Sequence, residues 1–250
     1  LLFGEYLLLL GARALALPVP FFSGQWAWRE ADQPDARREQ LLKFANSLEL
    51  KSIPGLDYDA FRHDVGGGLY FRSDIPVGYG LGSSGALCAG VYDRYSREKT
   101  TNLSELKAVF ARMESHFHGQ SSGIDPLTSY LNRPLLIANR DEVIFFEAQP
   151  WPDTPPAVFL LDSGQPRHTG PLVQWFLEKS QEADFLAHLH GEMLPAHEKL
   201  LSAWQSGDDV RFWPALQQVS AFQLENMPPM IPEHLCSVWE RGLRSGDFVL

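Results

Sequence analysis

The 250-residue chain is 44% hydrophobic and 21% charged, which is ordinary for a globular protein and excludes disordered, collagen-like and coiled-coil classes. Its formal net charge of −10 argues against holding nucleic acid by bulk electrostatics, although backbone amides can still bind a phosphate locally. Two cysteines, Cys88 and Cys236, are too few for a disulfide framework or a Cys-based zinc site, and the longest aliphatic run, Leu7–Leu10, is far below the roughly 20 residues of a membrane helix.

Leu1–Phe3, Tyr6–Leu10 and Ala12–Val19 read as consecutive strands with Gly11 at a turn. Glu5 interrupts the opening apolar stretch and no basic region precedes it, so a signal peptide is not expected. Phe21–Asp35 has no clear period. Ala36–Leu50 has helical spacing with Asp35 as its N-cap, and Ser52–Gly68, rich in Gly, Asp and Pro, reads as loop. Leu69–Ile75 is a predicted strand. After Pro76 to Gly85 come two helices, Ala86–Tyr95 and Leu103–Ser115, the second capped by Asn102. His118–Pro126 is glycine- and serine-rich and leads into Leu127–Leu131. Leu135–Asn139 and Val143–Glu147 form a predicted hairpin, and proline-rich Trp151–Pro156 is the candidate linker.

Beyond the linker, Ala157–Leu161 and Asp247–Leu250 read as strands. Leu172–Ser180, Ala183–Leu201, Val210–Leu224 and Ile231–Arg241 read as helices, with local breaks at Pro195 and Pro214. Trp204, Phe212, Trp213 and Phe222 are expected to be core between the C-terminal helices. The order of elements gives an α+β class in two lobes, residues 1–150 and 151–250. Both ends are apolar and strand-like, so further residues are expected on either side.

The most informative stretch is Gly78–Gly85. Gly78, Gly80 and Gly82 let the backbone turn tightly and approach a ligand with no Cβ in the way. Leu81, Ser83, Ser84 and Gly85 follow into a helix whose first-turn amides have no internal partner, and with the helix dipole they suit a phosphate. A Walker A loop would need Gly-Lys-Ser/Thr, which is absent. Gly80, Gly82 and Gly85 match G-x-G-x-x-G literally, but no second strand with a terminal acid follows as a dinucleotide fold requires. Neither serine has the G-x-S-x-G frame of a nucleophile elbow. A glycine-rich turn that merely starts a helix stays open.

Pro76-x-Gly78-x-Gly80-Leu81-Gly82-Ser83-Ser84-Gly85 resembles the phosphate loop of the GHMP kinases, with Gly85 where the family usually has Ala. Leu1-Leu2-Phe3-Gly4-Glu5-Tyr6 is similar to the opening strand motif of the mevalonate kinases, with Tyr6 in place of their usual His. His118-Gly119-Gln120-Ser121-Ser122-Gly123-Ile124-Asp125 resembles their His-Gly-x-x-Ser-Gly-x-Asp segment, and Pro166-Arg167-His168-Thr169 is a weaker echo of a later one. The matches keep the family's order, and the mevalonate kinases are the most similar branch.

The resemblance implies a ribosomal-protein-S5-domain-2-like N-terminal lobe, a ferredoxin-like C-terminal lobe, and ATP with Mg²⁺ between them. It implies an ATP-dependent phosphotransferase acting on a small-molecule alcohol in the cytoplasm, with no nucleic-acid or membrane partner and a homodimer as one oligomeric option. Asp125 matches the catalytic aspartate, Ser84 and Glu114 the Mg²⁺ ligands, and Gly78 to Gly85 the nucleotide loop. Glu5, Tyr6, Arg167 and Thr169 fall on the acceptor side. The family's lysine lies two residues before the position of Leu1, and its third glycine-rich motif follows the position of Leu250. From the residues alone, Glu114 could be a solvated helix-face acid and Asp125 an N-cap. His116, His118, His188 and His190 read as packing or turn residues. A non-catalytic nucleotide- or metabolite-binding protein of the same fold is the second reading, and a dinucleotide-dependent oxidoreductase the third.

Overall fold

The computed structural model describes residues 1–29, 37–139, 141–152, 155–166 and 169–250. Contacts group the chain into two compact units. One comprises Leu1–Leu15, Leu136–Arg140 and Phe145–Leu250; the other comprises Ala16–Leu135 and Asp141–Ile144. The first residues thus group with the second half of the chain, and the grouping does not follow a single cut at residue 150.

In the unit built mainly on Ala16–Leu135, strand β2 (Gly24–Trp28) pairs antiparallel with β3 (Leu69–Ser73), with Trp26 opposite Phe71. The helices are α1 (Arg38–Ala45), α2 (Leu48–Lys51), α3 (Tyr58–Gly66), α4 (Ser83–Tyr95), α5 (Leu103–His118) and α6 (Ile124–Leu131). Aromatic edges knit the core: Trp26 meets Phe61, Phe71 and Tyr95 at 5.1 to 6.3 Å between centroids, and Tyr92, Phe110 and Tyr130 form a triangle of rings at 5.2 to 5.5 Å. Helix α3 replaces most of the loop expected over Ser52–Gly68. Asp57 caps it by accepting from the Ala60 amide, and Phe61 and Val65, one turn apart, are buried. The helix expected over Ala36–Leu50 is two pieces, because Ser47 caps a new start at Leu48. Its expected cap, Asp35, lies outside the described residues.

A three-stranded sheet has the order β1 (Ala14–Ala16), β4 (Leu135–Ile137), β5 (Val143–Phe145), so the expected neighbours β4 and β5 do pair. The expected strand Tyr6–Leu10 is a 3-10 helix, Leu7–Leu10, closed by Gly11 at φ 84°. Phe3 keeps a single antiparallel bridge to Leu15.

In the other unit, α7 (Thr169–Lys179), α8 (Ala183–His188), α9 (Leu194–Ser206) and α10 (Asp209–Asn226) surround Phe176, Leu189, Leu200, Phe212 and Phe222, and α11 (Glu233–Ser245) is tied to α10 by Trp239 Nε1 donating to Ser220 Oγ. A π turn, Leu189–Met193, joins α8 to α9 directly before Pro195, which has no N–H to give the Gly191 carbonyl. Pro214 is not a break: α10 runs through it, held by buried Phe212, Ala215 and Val219. Trp213 is 43% exposed, since a residue adjacent to buried Phe212 cannot share its helix face. The strands expected at Ala157–Leu161 and Asp247–Leu250 are absent, and the described residues after Phe145 contain helices but no strand. The ferredoxin-like sheet expected there is therefore not displayed. Phe159 is 51% exposed: an apolar run without a ladder partner has no reason to be a strand. Among the described residues no helix is long and apolar enough to cross a membrane.

His197 on α9 is buried, and its Nε2 donates to the Arg13 carbonyl at 2.7 Å. Burial pulls its imidazole below the ordinary value of 6.5. The unfolded chain thus binds this proton more readily than the folded one. The stability contributed by neutral His197 is complete above pH 6.5 and is lost as pH falls below it. Chemical denaturation across this range should show a steeper loss of stability in the wild type than in His197→Gln.

Candidate active site

Three glycines at alternate positions all occupy the left-handed region: Gly78 at φ 84°, Gly80 at 70° and Gly82 at 69°. They carry the chain from β3 into α4 as an exposed loop, with Leu81 half-buried. Helix α4 starts at Ser83, three residues earlier than its apolar pattern suggests, with Gly82 in the N-cap position and no side-chain cap. The amides of Ser83, Ser84 and Gly85 precede the first intrahelical bond, from Ala86 N–H to the Gly82 carbonyl. This geometry suits a polyphosphate: backbone donors without internal partners, a helix dipole, and open space beside Gly80.

The N-terminus of α6 lies against that of α4. A Cβ on Gly82 would sit 3.5 Å from Asp125 Cβ and 3.7 Å from its Oδ2. A Cβ on Gly85 would come within 2.8 Å of the Pro126 nitrogen and 2.9 Å of the Asp125 carbonyl carbon. The expected loop and the expected aspartate are therefore neighbours. Gly123 occupies the N-cap position of α6 at φ 72°, and Asp125, which the sequence also allows as a cap, sits inside the first turn instead. Its side chain is exposed beside the glycine loop.

Helix α5 supplies the third wall. Glu114 is 5% exposed, so it is not the solvated acid that its helical position also allowed. Ser84 Oγ donates to Glu114 Oε1 at 3.0 Å, and Ser121 Oγ donates to Oε2 at 2.5 Å. Desolvation raises the Glu114 carboxyl above its ordinary value, with the Asp125 charge adding to the effect, while the Ser121 and Ser84 hydrogen bonds oppose it. Behind Ser84, Cys88 is buried on α4, and burial followed by the Glu114 charge pushes its thiol up, so it is an inert core residue.

Two members of this cluster were not anticipated. His118 stands one helical turn beyond Glu114, and its Nε2 lies 3.1 Å from Ser84 Oγ. It is a neighbour of the loop rather than a packing residue; the i, i+4 spacing from Glu114 was the available signal. Ser121 also accepts from the Gly123 amide at 3.0 Å, tying Glu114 to the turn before α6.

Among the described residues no group of three or more His, Cys, Asp or Glu could hold a metal by protein ligands alone. Mg²⁺ does not require one: it takes one or two carboxylates, keeps several waters and shares phosphate oxygens. Ser84 Oγ and Glu114 Oε1 are hard oxygen donors at the mouth of an anion-binding helix, so the donor set fits that ion.

The remaining expected residues belong to the other compact unit. Glu5 is exposed and Tyr6 half-buried, its ring 5.5 Å from Phe176. Both line a cavity of about 150 Å³ with Met193, Leu216, Gln223 and Met227. Thr169 opens α7, and Arg167 lies outside the described residues.

A dinucleotide-binding arrangement is not what surrounds the loop. β2 and β3 are antiparallel, and α4 is followed by α5 with no strand between them. Residues 58–133 match the family model for the GHMP kinases N terminal domain, a span running from α3 through α6. No curated protein and no solved structure matches the chain. The match supports the GHMP kinase superfamily for this stretch, and with the mixed helices and strands it fits the α+β class; it does not single out the mevalonate kinases.

Gly85→Ala tests the close approach. In a helix Ala is normally better than Gly by about 1 kcal/mol. At Gly66, where a Cβ meets nothing within 4 Å, Gly66→Ala should be neutral or stabilising. At Gly85 the backbone of α6 must move, and Gly85→Ala should destabilise by about 1–3 kcal/mol in urea titrations.

Proposed function

We propose that this chain is an ATP-dependent small-molecule kinase of the GHMP type, transferring the γ-phosphate of Mg·ATP to the hydroxyl of an alcohol acceptor. The observation that carries the proposal is the convergence of Ser84, Glu114 and Asp125 at the N-terminus of α4, directly after the glycine loop. The family match over residues 58–133 supports it independently. An acceptor resembling mevalonate is the finer reading, supported by the likeness of Leu1–Tyr6 to the mevalonate kinase opening motif.

Phosphoryl transfer is mostly positioning and charge stabilisation. The amides of Ser83, Ser84 and Gly85, with the glycine loop, would hold the phosphate oxygens. Ser84 Oγ and the Glu114 carboxylate would hold Mg²⁺, which when bound offsets phosphate charge. Asp125 accepts the proton of the acceptor hydroxyl as that oxygen forms its bond to the γ-phosphorus. The bond from the γ-phosphorus to the bridging oxygen breaks, and ADP carries the electron pair away. Gly123 and Pro126 flank Asp125 in sequence and fix the turn that orients it.

Asp125→Ala should lower turnover by at least about 100-fold while leaving nucleotide affinity intact. Ser84→Ala should weaken binding of Mg·ATP. An ATP-consumption screen over mevalonate, phosphomevalonate, homoserine and simple sugars supplies the assay, and calorimetry the affinities. Wild-type turnover in Asp125→Ala, or unchanged Mg·ATP affinity in Ser84→Ala, would overturn the proposal.

A further inference from the structure

The Ser84 hydroxyl has a single proton and two neighbours that compete for it. Glu114 Oε1 lies at 3.0 Å and His118 Nε2 at 3.1 Å. A carboxylate is only an acceptor, whereas a neutral imidazole nitrogen is a donor in one tautomer and an acceptor in the other. With the Ser84 proton directed to Glu114, the imidazole satisfies the geometry by donating Nε2–H to Oγ.

That arrangement cannot persist if Ser84 and Glu114 are to share a cation. Oγ must then turn a lone pair toward the ion, and its proton must leave the direction of Glu114, because a proton between the two oxygens repels a positive charge. Among the described residues, His118 Nε2 is the other side-chain partner of Ser84 Oγ. It can accept a hydrogen bond from that hydroxyl without any change of charge, as the Nδ1–H tautomer. Helix α5 fixes the geometry. Glu114 and His118 are separated by one turn on one face, so they bracket Ser84 from two sides. Ser121, hydrogen-bonded to the other Glu114 oxygen, keeps that carboxylate from rotating away.

We propose that His118 is a positioning residue: its Nε2 accepts a hydrogen bond from the Ser84 hydroxyl and so frees an Oγ lone pair, beside Glu114, for a divalent cation. The inference rests on the kinase reading for the cation's presence and goes beyond it by assigning the partner that orients its serine ligand.

The test compares ATP binding to the 250-residue protein in Mg²⁺ and in EDTA, by calorimetry, for the wild type, His118→Ala and His118→Gln. The ratio of the two affinities reports the cation's contribution and needs no turnover. His118→Ala should reduce that ratio about fivefold, the size of one net hydrogen bond, with ATP affinity in EDTA unchanged. His118→Gln, whose amide oxygen can accept from Ser84, should recover most of the ratio. Thermal melting without ligand checks that both variants are folded. A His118→Ala ratio equal to that of the wild type, equal weakening in Mg²⁺ and EDTA, or no recovery with Gln would overturn the inference alone. Wild-type protein that binds ATP no better in Mg²⁺ than in EDTA would overturn the kinase reading with it.

Discussion

The contact on which the site depends is backbone against backbone: the first turn of α4 against the first turn of α6, at Gly85 and Asp125-Pro126. Any side chain at position 85 would force these turns apart. Gly123 does the same service on the other side of α6, where a Cβ would run into the Lys107 carbonyl and the Ala111 backbone of α5. Two residues without side chains thus let three helices close on one another. The resemblance has Ala at the position of Gly85; here the backbone of α6 occupies the space that a methyl group would fill.

The closeness has an electrostatic consequence. Two helix N-termini present amide donors, an arrangement that attracts anions. Yet the side chains nearest the loop include two acids, Glu114 and Asp125, and the Asp125 charge disfavours ionisation of Glu114. A site built for phosphate alone would not bury a carboxylate at its mouth, since desolvation and repulsion both oppose it. The hydroxyls of Ser84 and Ser121 offset part of that cost. On the kinase proposal, a divalent cation between the acids and a polyphosphate would offset the remainder, because it would turn two repulsions into two attractions.

Much of this arrangement is legible in the sequence because short-range signals carry it. Asn102 announces α5, and its side chain does accept from Ser104 and Glu105. Leu69–Ser73 opens with Leu, Tyr and Phe, residues suited to a strand, and pairs with β2. The glycine loop advertises itself through residues that tolerate positive φ. What the sequence hides includes both local closures and long-range contacts. Leu7–Leu10 has strand composition but folds as a 3-10 helix, because Gly11 closes the turn locally with its amide to the Leu8 carbonyl. Ala157–Leu161 has the residues of a strand without a pairing partner. Helix α3 is masked by neighbouring glycines, although Asp57, Phe61 and Val65 spell out its cap and its buried face. His118 looks like part of an isolated H-x-H until α4 is seen to bring Ser84 beside it.

The choice between a kinase and a binding protein turns on what Asp125 is spared from doing. In sequence it can be a helix cap, and a cap would hold its carboxylate against backbone amides. In the structure Gly123 takes the cap position, and the described residues make no hydrogen bond to the Asp125 carboxylate. An acid in the first turn of α6 gains on the order of 0.5 kcal/mol from the helix dipole. That gain would be the same for an acid pointing to open solvent. It does not account for a carboxylate set 3.7 Å from the Cβ position of Gly82, beside the glycine loop and with no backbone amide to cap. The kinase proposal gives that carboxylate a task, as the base for the acceptor proton, which a protein that only bound nucleotide would not need.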